Sequence, residues 1–384
     1  MQQRSNEKDT EVNFWAQQVF NKIKKKIPAE IKRVSTGIPY IPVNGYYEDE
    51  GNRNITWWTN GFWAGILWQL YHATGTKYYR TYAQYTEKRL DDTFANFMGL
   101  DHDIGFMWQH TAVADYRLTK NKRSMARGLH AANLLNGRYN PVGKFIKACN
   151  PDESGKRNGW VIIDSMMNLS LLYWARDLTG DLRFDYIART HANTVMNNHV
   201  RTDGSVNYIC IFNPKNGELL KTLGGQGYGT GSSWSRGQAW AIYGFALSYL
   251  HTKDEKYLDT SRRAAHYFLA NIEQSNYYSL VDFRAPKDPG QFDSSASAIA
   301  ACGLLEISKH VPELEQQVYI NAAVKILKNL DKNYADYDVD TDGIITNGSV
   351  KNNPNQPKAD RIIYADYFYI EGILRLLGKD FSIW

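Results

Sequence analysis

Apolar and polar positions along the chain fall into two kinds of segment. Those starting near 60, 164, 233 and 293 are apolar on nearly every side, as helices surrounded by other helices are. Those starting near 76, 181 and 254 are apolar on one stripe only. In the last of these Tyr257, Ser261, Ala264, Ala265, Phe268 and Ile272 share a face, while Lys256, Arg262, Arg263 and Glu273 lie off it. Taken in order, the periodicity predicts about twelve helices, near 9–26, 60–74, 76–95, 103–118, 121–137, 164–178, 181–198, 233–251, 254–273, 293–310, 312–332 and 362–377.

A short phrase recurs between paired segments: Thr74-Gly75-Thr76-Lys77, Thr119-Lys120-Asn121-Lys122, Thr179-Gly180-Asp181-Leu182 and Thr252-Lys253-Asp254-Glu255. Each reads as a tight turn that ends one helix and caps the next. A repeat of this kind sets the architecture. Six buried helices alternating with six amphipathic ones predict an all-α, (α/α)6 toroid, a barrel of inner and outer rings, as one domain over 1–384. The long connections, near 137–163, 199–232 and 333–361, precede inner helices. They hold short alternating pieces such as Ser205–Phe212, expected to be β-hairpins. Long loops gathered at one mouth of a rigid scaffold are where sites are usually built.

Composition changes this picture little. Aromatic residues make up 14% of the chain, a richness that suits stacking on sugar rings and equally suits a buried core. The net charge of +5 is mild, and the only basic run, Lys22-Ile23-Lys24-Lys25-Lys26, fits the exposed end of a first helix. No nucleic-acid stripe is present. The three cysteines, Cys149, Cys210 and Cys302, are far apart and suggest neither a disulfide framework nor a zinc cluster. No run approaches the length of a membrane span, and Met1–Lys8 lacks the apolar core of a signal peptide. The chain is expected to be soluble, cytoplasmic, or periplasmic if a leader has been removed. Its oligomeric state is not readable.

The candidate chemistry lies at the helix starts. Asp103 and Asp164 each sit where an inner helix begins. They are either two independent N-caps or a carboxylate pair. In a toroid the inner-helix N-termini of one rim converge, so residues far apart in sequence can meet. Two close carboxylates raise one pKa, and walls such as Trp160, Trp108 and Met166 would raise it further. A protonated aspartate near neutral pH is what general acid catalysis requires. His102 is either a helix-start hydrogen bonder or part of that site. Arg236 and Trp240 are four apart, on one face of a helix, and suit a ligand with a carboxylate and a ring face; the alternative is an arginine paired with a core aspartate. Trp57, Trp58 and Trp63 are stacking candidates, at least one of them plain core.

Two motifs are set aside. Gly224–Gly231 is glycine-rich, but has no GK[ST] ending and no βαβ context, so its glycines are taken to let the backbone and Gln226 approach a small ligand. Asp338–Gly343 matches the first half of a calcium loop, but its twelfth position is Ser349 where a glutamate is needed, and it reads as a turn. No cofactor or metal is implied.

Three stretches carry a resemblance: His102-Asp103-Ile104-Gly105-Phe106, Ile163-Asp164-Ser165-Met166-Met167-Asn168 and Ser233-Trp234-Ser235-Arg236-Gly237-Gln238-Ala239-Trp240. Together, with Trp58–Trp63 and Tyr364–Phe368 near the ends, they resemble the unsaturated glucuronyl hydrolases of glycoside hydrolase family 88. The resemblance implies an (α/α)6 barrel without metal. It implies that Asp164 is the general acid/base and Asp103 its partner, with His102, Gln226, Trp234, Arg236, Trp240 and Trp57 or Trp58 lining the uronate subsite. The substrate it implies is a lyase-generated oligosaccharide, with glycosaminoglycans the expected source. Where such enzymes carry a histidine after the Asp-Gly-Ser turn this chain has Tyr208, and Ser349–Pro354 lacks the Ser/His/Lys pattern tied to 6-sulfated substrates. Other readings are an unsaturated rhamnogalacturonyl hydrolase, a sugar epimerase needing pocket histidines, and a non-catalytic oligosaccharide-binding protein.

Overall fold

The structure, a computed structural model, describes all residues except 1, 151–154, 156, 287–289, 354 and 356–358, and the side chains of 2–9. Pro354 and parts of the 137–163 and 333–361 connections therefore lie outside the described residues.

Among the described residues twelve long helices follow the predicted order. The outer ones are α1 (Gln2–Val34), α3 (Lys77–Arg89), α5 (Lys122–Asn136), α7 (Leu182–His199), α9 (Glu255–Glu273) and α11 (Glu313–Asn333). The inner ones are α2 (Phe62–Thr74), α4 (104–119), α6 (Ser165–Thr179), α8 (Ser235–Thr252), α10 (Ser294–Ser308) and α12 (Ile363–Leu376). Each inner helix packs on the next, and α12 closes the ring against α2. Every residue of α10 is buried, which is why its sequence shows no polar face. Helix α4 contains a π-helical turn at Gln109–Val113, where an extra residue is accommodated in the ladder.

The recurring phrase has a single physical basis. In each copy the threonine hydroxyl donates to the carbonyl four residues back: Thr74 to Leu70 at 2.7 Å, Thr119 to Asp115 at 2.9 Å, Thr179 to Ala175 at 2.7 Å and Thr252 to Ser248 at 2.6 Å. The same oxygen accepts from the N–H two residues on, in Thr76, Asn121, Asp181 and Asp254. The residue between is left-handed: Gly75, Lys120, Gly180 and Lys253 have φ of 69°, 61°, 72° and 55°. One hydroxyl thus ends an inner helix and opens the next outer one.

Two expectations are corrected. Helix α1 runs past Pro28 to Val34, because the buried stripe Val19, Ile23, Ile27 and Ile31 continues through the proline and outweighs the lost hydrogen bond. Lys26 is not on an exposed end. It is fully buried and donates to the carbonyls of Asp338 at 2.7 Å and Thr341 at 3.1 Å. With Arg33 on the Val339 carbonyl at 2.8 Å, side-chain cations occupy the oxygens of the turn whose sequence matches half a calcium loop.

The hairpins sit at the mouth. Strands β1 (Tyr139–Asn140) and β2 (Phe145–Ile146) pair with each other. Strands β3 (Trp160–Ile162), β4 (Ile209–Phe212) and β5 (Leu219–Leu223) form an antiparallel sheet, with β4 central. The predicted piece 205–212 is a strand only from Ile209. Towards the C-terminal ends of the inner helices the barrel axis is filled. Trp384 stacks on Phe368, and Arg375 binds Glu306 at 2.6 Å and Glu371 at 2.8 Å. No described helix is long and apolar enough to cross a membrane.

Gly180 has open space where a side chain would go, so its role is purely conformational. Gly180→Ala is expected to cost about 1 kcal/mol, read as a lower urea midpoint at unchanged slope. An unchanged midpoint would contradict the account of the repeat.

Candidate active site

The inner helices point their N-terminal ends to one mouth, the end where free N–H groups and helix dipoles favour negative charge. Asp103 and Asp164 occupy the N-cap positions of α4 and α6, yet neither side chain makes a capping hydrogen bond. The contrast is with Asp293, Asn121 and Asp181, which do cap. The two carboxylates are therefore left for something other than helix termination.

Asn168, one turn into α6 and buried, ties the Asp103 side chain to the Asp164 backbone. Its Nδ2 donates to Asp103 Oδ1 at 2.8 Å and to the Asp164 carbonyl at 3.2 Å, while its Oδ1 accepts from the Phe106 N–H at 2.7 Å. The helices approach this closely because α4 carries Gly105 there: a Cβ on it would lie 2.5 Å from Asn168 Cα. Burial raises the Asp103 carboxyl to about 7, against the Asn168 and Arg138 contributions that lower it. Asp164 is half-buried, and its carboxyl is held well above the usual range by desolvation first and by Asp103 second, with Arg236 opposing. Its Oδ1 is buried without a hydrogen-bond partner. Burial thus favours the neutral form of both carboxyls, and a charge on Asp103 disfavours a second one on Asp164. His102 Nε2 lies 3.5 Å from Asp103 Oδ1, and burial lowers the imidazole to about 4, so it stands there as a neutral ring.

The third helix start supplies a different cluster. Arg236 in α8 is buried and pairs with Asp293, the alternative kept open from sequence. It also donates to the carbonyls of Ser349 at 2.6 Å and Val350 at 2.7 Å, and to Gln226 Oε1 at 3.2 Å. Its guanidinium lies over Trp234 at 4.4 Å and Tyr364 at 5.4 Å. Both terminal nitrogens are engaged within the protein, so the group organises the mouth rather than standing open to a ligand. Gln226 turns its oxygen to Arg236, which leaves its NH2 as the donor end. Tyr208 packs its half-buried ring on Trp234 at 4.3 Å, and its hydroxyl is shifted upward by burial first and by Asp164 next.

Comparison with known proteins decides the family. The profile of Glycosyl Hydrolase Family 88 matches residues 32–371. The chain belongs to that family. It is 38% identical over 324 residues to the unsaturated glucuronyl hydrolase of Bacillus sp. (strain GL1), covering 83% of this chain and 86% of that protein. It is 33% identical over 335 residues to the unsaturated chondroitin disaccharide hydrolase of Streptococcus pneumoniae, covering 86% and 84%. The crystal structure of the Bacillus sp. GL1 enzyme superposes with a TM-score of 0.89 at 35% identity, over 94% of this chain and 96% of that one. A Streptococcus agalactiae unsaturated glucuronyl hydrolase mutant complexed with dGlcA-GalNAc6S gives 0.83 at 28% identity, over 97% and 94%. This family 88 chain is a glycoside hydrolase with the (α/α)6 barrel of these relatives.

Other expected residues fall differently. Trp240 is fully buried against Phe106 and Phe368, so it supports the site from the core. Trp63 is core as well. Trp57 and Trp58 are half-buried; Trp57 meets Tyr40 at 5.6 Å and Trp58 meets Tyr364 at 5.1 Å. Trp108 does not wall the carboxylates. Five residues beyond Asp103 it faces the other way and stacks on Phe94. Met166 is fully buried, packed against Gly244 of α8. Trp160 is the remaining wall candidate, half-buried in β3 with Arg157 over its ring at 5.5 Å.

Sequence reasoning missed Asn168, Arg138 and Asp101 as parts of the site. Asn168 stands inside a quoted motif, one turn after Asp164, which is the signal that could have found it. Arg138 immediately precedes a hairpin; it holds the Leu100 and Ala148 carbonyls at 3.2 and 2.8 Å. Asp101 accepts the Asp103 N–H at 2.8 Å, and burial, then Asp103, raises it to about 6.

A carboxyl raised in the folded state stabilises the fold below its unfolded pKa, and that stability is lost as pH rises through the folded value, here about 7 for Asp103. Asp103→Asn removes the ionisation penalty. Its Tm is expected to exceed the parent's by a few degrees at alkaline pH and to match it at mildly acidic pH. Equal differences at both would remove the buried charge as the cause.

Proposed function

We propose that the chain removes a 4,5-unsaturated uronic acid from the non-reducing end of lyase-generated oligosaccharides, of the glycosaminoglycan type, with Asp164 as general acid/base and Asp103 as its partner. The observation that carries this is the non-capping carboxylate pair at the mouth of the barrel, with Asn168 joining the Asp103 carboxylate to the Asp164 backbone. The names of the relatives, an unsaturated glucuronyl hydrolase and an unsaturated chondroitin disaccharide hydrolase, supply the substrate class.

In such a sugar the C4=C5 double bond and the ring oxygen form a vinyl ether. Asp164 delivers its proton to C4, and positive charge develops at C5 and the ring oxygen. The ionised Asp103 beside it stabilises that charge. Water then adds at C5, giving its proton back to Asp164. The hemiketal opens to a C5 ketone, and the hemiacetal left at C1 collapses to release the rest of the sugar. One water is consumed and the acid is regenerated. Because the anomeric carbon is never attacked, the carboxylate separation does not set a stereochemical outcome as it does in ordinary glycosidases.

The uronate carboxylate is met by the Gln226 amide, which Arg236 holds in place, and by the positive ends of the converging helices. Trp234, Tyr208 and Trp57 or Trp58 offer ring faces, and His102, neutral, offers a hydrogen bond. The Tyr208 hydroxyl, where relatives are expected to carry histidine, has no ionisation near neutral pH.

The test is loss of the ultraviolet absorbance of the C4=C5 double bond on a panel of lyase products, glycosaminoglycan and pectin derived. Asp164→Asn is expected to lower kcat by about 100- to 10,000-fold with KM little changed. Full turnover in that variant would overturn the assignment, and decay with no member of the panel would leave a binding protein.

A further inference from the structure

Two carboxylates that share one proton can place it on either oxygen set, and only one placement gives a working acid. We propose that Asn168 is the positioning residue that makes this choice: its amide holds Asp103 as the charged acceptor and so leaves the proton on Asp164. The inference rests on the reading of the pair given above.

The amide cannot turn over. Its oxygen accepts the Phe106 N–H at 2.7 Å and its NH2 donates to Asp103 at 2.8 Å. A flipped amide would set an oxygen against the carboxylate and an NH2 against an N–H. The absence of a side chain at Gly105 keeps α4 pressed on Asn168, where a Cβ would meet both Cα and Oδ1 at 2.5 Å. A fixed donor favours the ionised form of what it faces. On the other side Asp164 Oδ1 is buried without a partner, a situation a neutral carboxyl tolerates better than a carboxylate.

The surrounding charges do not make this choice by themselves. Arg138, beside the β1–β2 hairpin, favours charge on Asp103, whereas Arg236 in α8 favours charge on Asp164. Arg236 is itself neutralised by Asp293. Asp101 adds negative charge near both, His102 is neutral, and Tyr208 keeps its proton. With the arginines opposed, burial would set the proton on Asp103, the more enclosed of the two, and the short amide contact overrides it.

The consequence is a specific pH signature. In Asn168→Ala, Asp103 competes for the proton. The kcat/KM plateau below the alkaline limb is expected to fall by about 10- to 100-fold, the ratio that one charge-assisted hydrogen bond sets. The alkaline limb moves up by the logarithm of that fall, about one to two pH units, and above it variant and parent converge, because the balance between the Asp164-protonated and the doubly ionised pair does not involve the amide. In an Asp103→Asn background the same substitution should change the rate by less than about threefold, since the choice of proton site exists only while Asp103 can ionise. A deficit constant at every pH, or one that multiplies in that background, would overturn the inference while leaving the pair itself intact. Full activity in Asp164→Asn would instead remove the pair. Should the alanine variant not fold, carbon-13 NMR of aspartate carboxyls in the parent decides. The protonated signal that persists at mildly alkaline pH, above the Asp103 value of about 7, is expected to vanish in Asp164→Asn; assignment of that proton to Asp103 refutes the proposal.

Discussion

The site depends on one close approach, α4 against α6 at Gly105 and Asn168. A glycine in α4 allows the Asn168 amide to reach the first turn of that helix, and the amide satisfies a backbone N–H and a carboxylate at once. Everything else at the mouth follows from helix ends being brought together. Inner-helix N-termini carry unpaired donors and partial positive charge, so acids placed there would ordinarily be ionised caps. Here burial works against that tendency. Asp103 and Asp164 do not cap, and desolvation raises both.

The scaffold is stabilised away from this arrangement. The repeated threonine turns end the inner helices without using the mouth, and the axis beyond is closed by Trp384 and the Glu306–Arg375–Glu371 cluster. The candidate site lies at the opposite rim, with the long connections and two small sheets. Arg236 illustrates the division. From sequence it could be a ligand clamp or a structural ion pair. In the fold it joins α8 to Asp293, to the 349–350 segment and to Gln226, so what it fixes is the position of those residues at the mouth.

The legible and illegible parts of the site separate along a physical line. Residues whose position follows from a helix start are legible: Asp103, Asp164 and Arg236 each open an inner helix. Residues whose direction depends on packing are not. Trp240 shares a helix face with Arg236 but is enclosed by Phe106 and Phe368, and Trp108 points away to Phe94. Lys26 looks exposed among its lysine neighbours, yet it is buried by the 338–341 turn from the far end of the chain.

By itself the sequence determined the alternation of buried and amphipathic helices, the turns between them, and the candidate acids at their mouths. These are local matters: 3.6-residue periodicity, left-handed turn residues and helix caps act within about a dozen positions. Tertiary structure alone decided that Asn168 bridges Asp103 to the Asp164 backbone, that Arg236 is spent on Asp293 and on backbone carbonyls, and that Trp240 belongs to the core. Each of these depends on contacts between helices distant in sequence. Burial, which sets the charge state of the acids, exists only once the two rings have closed.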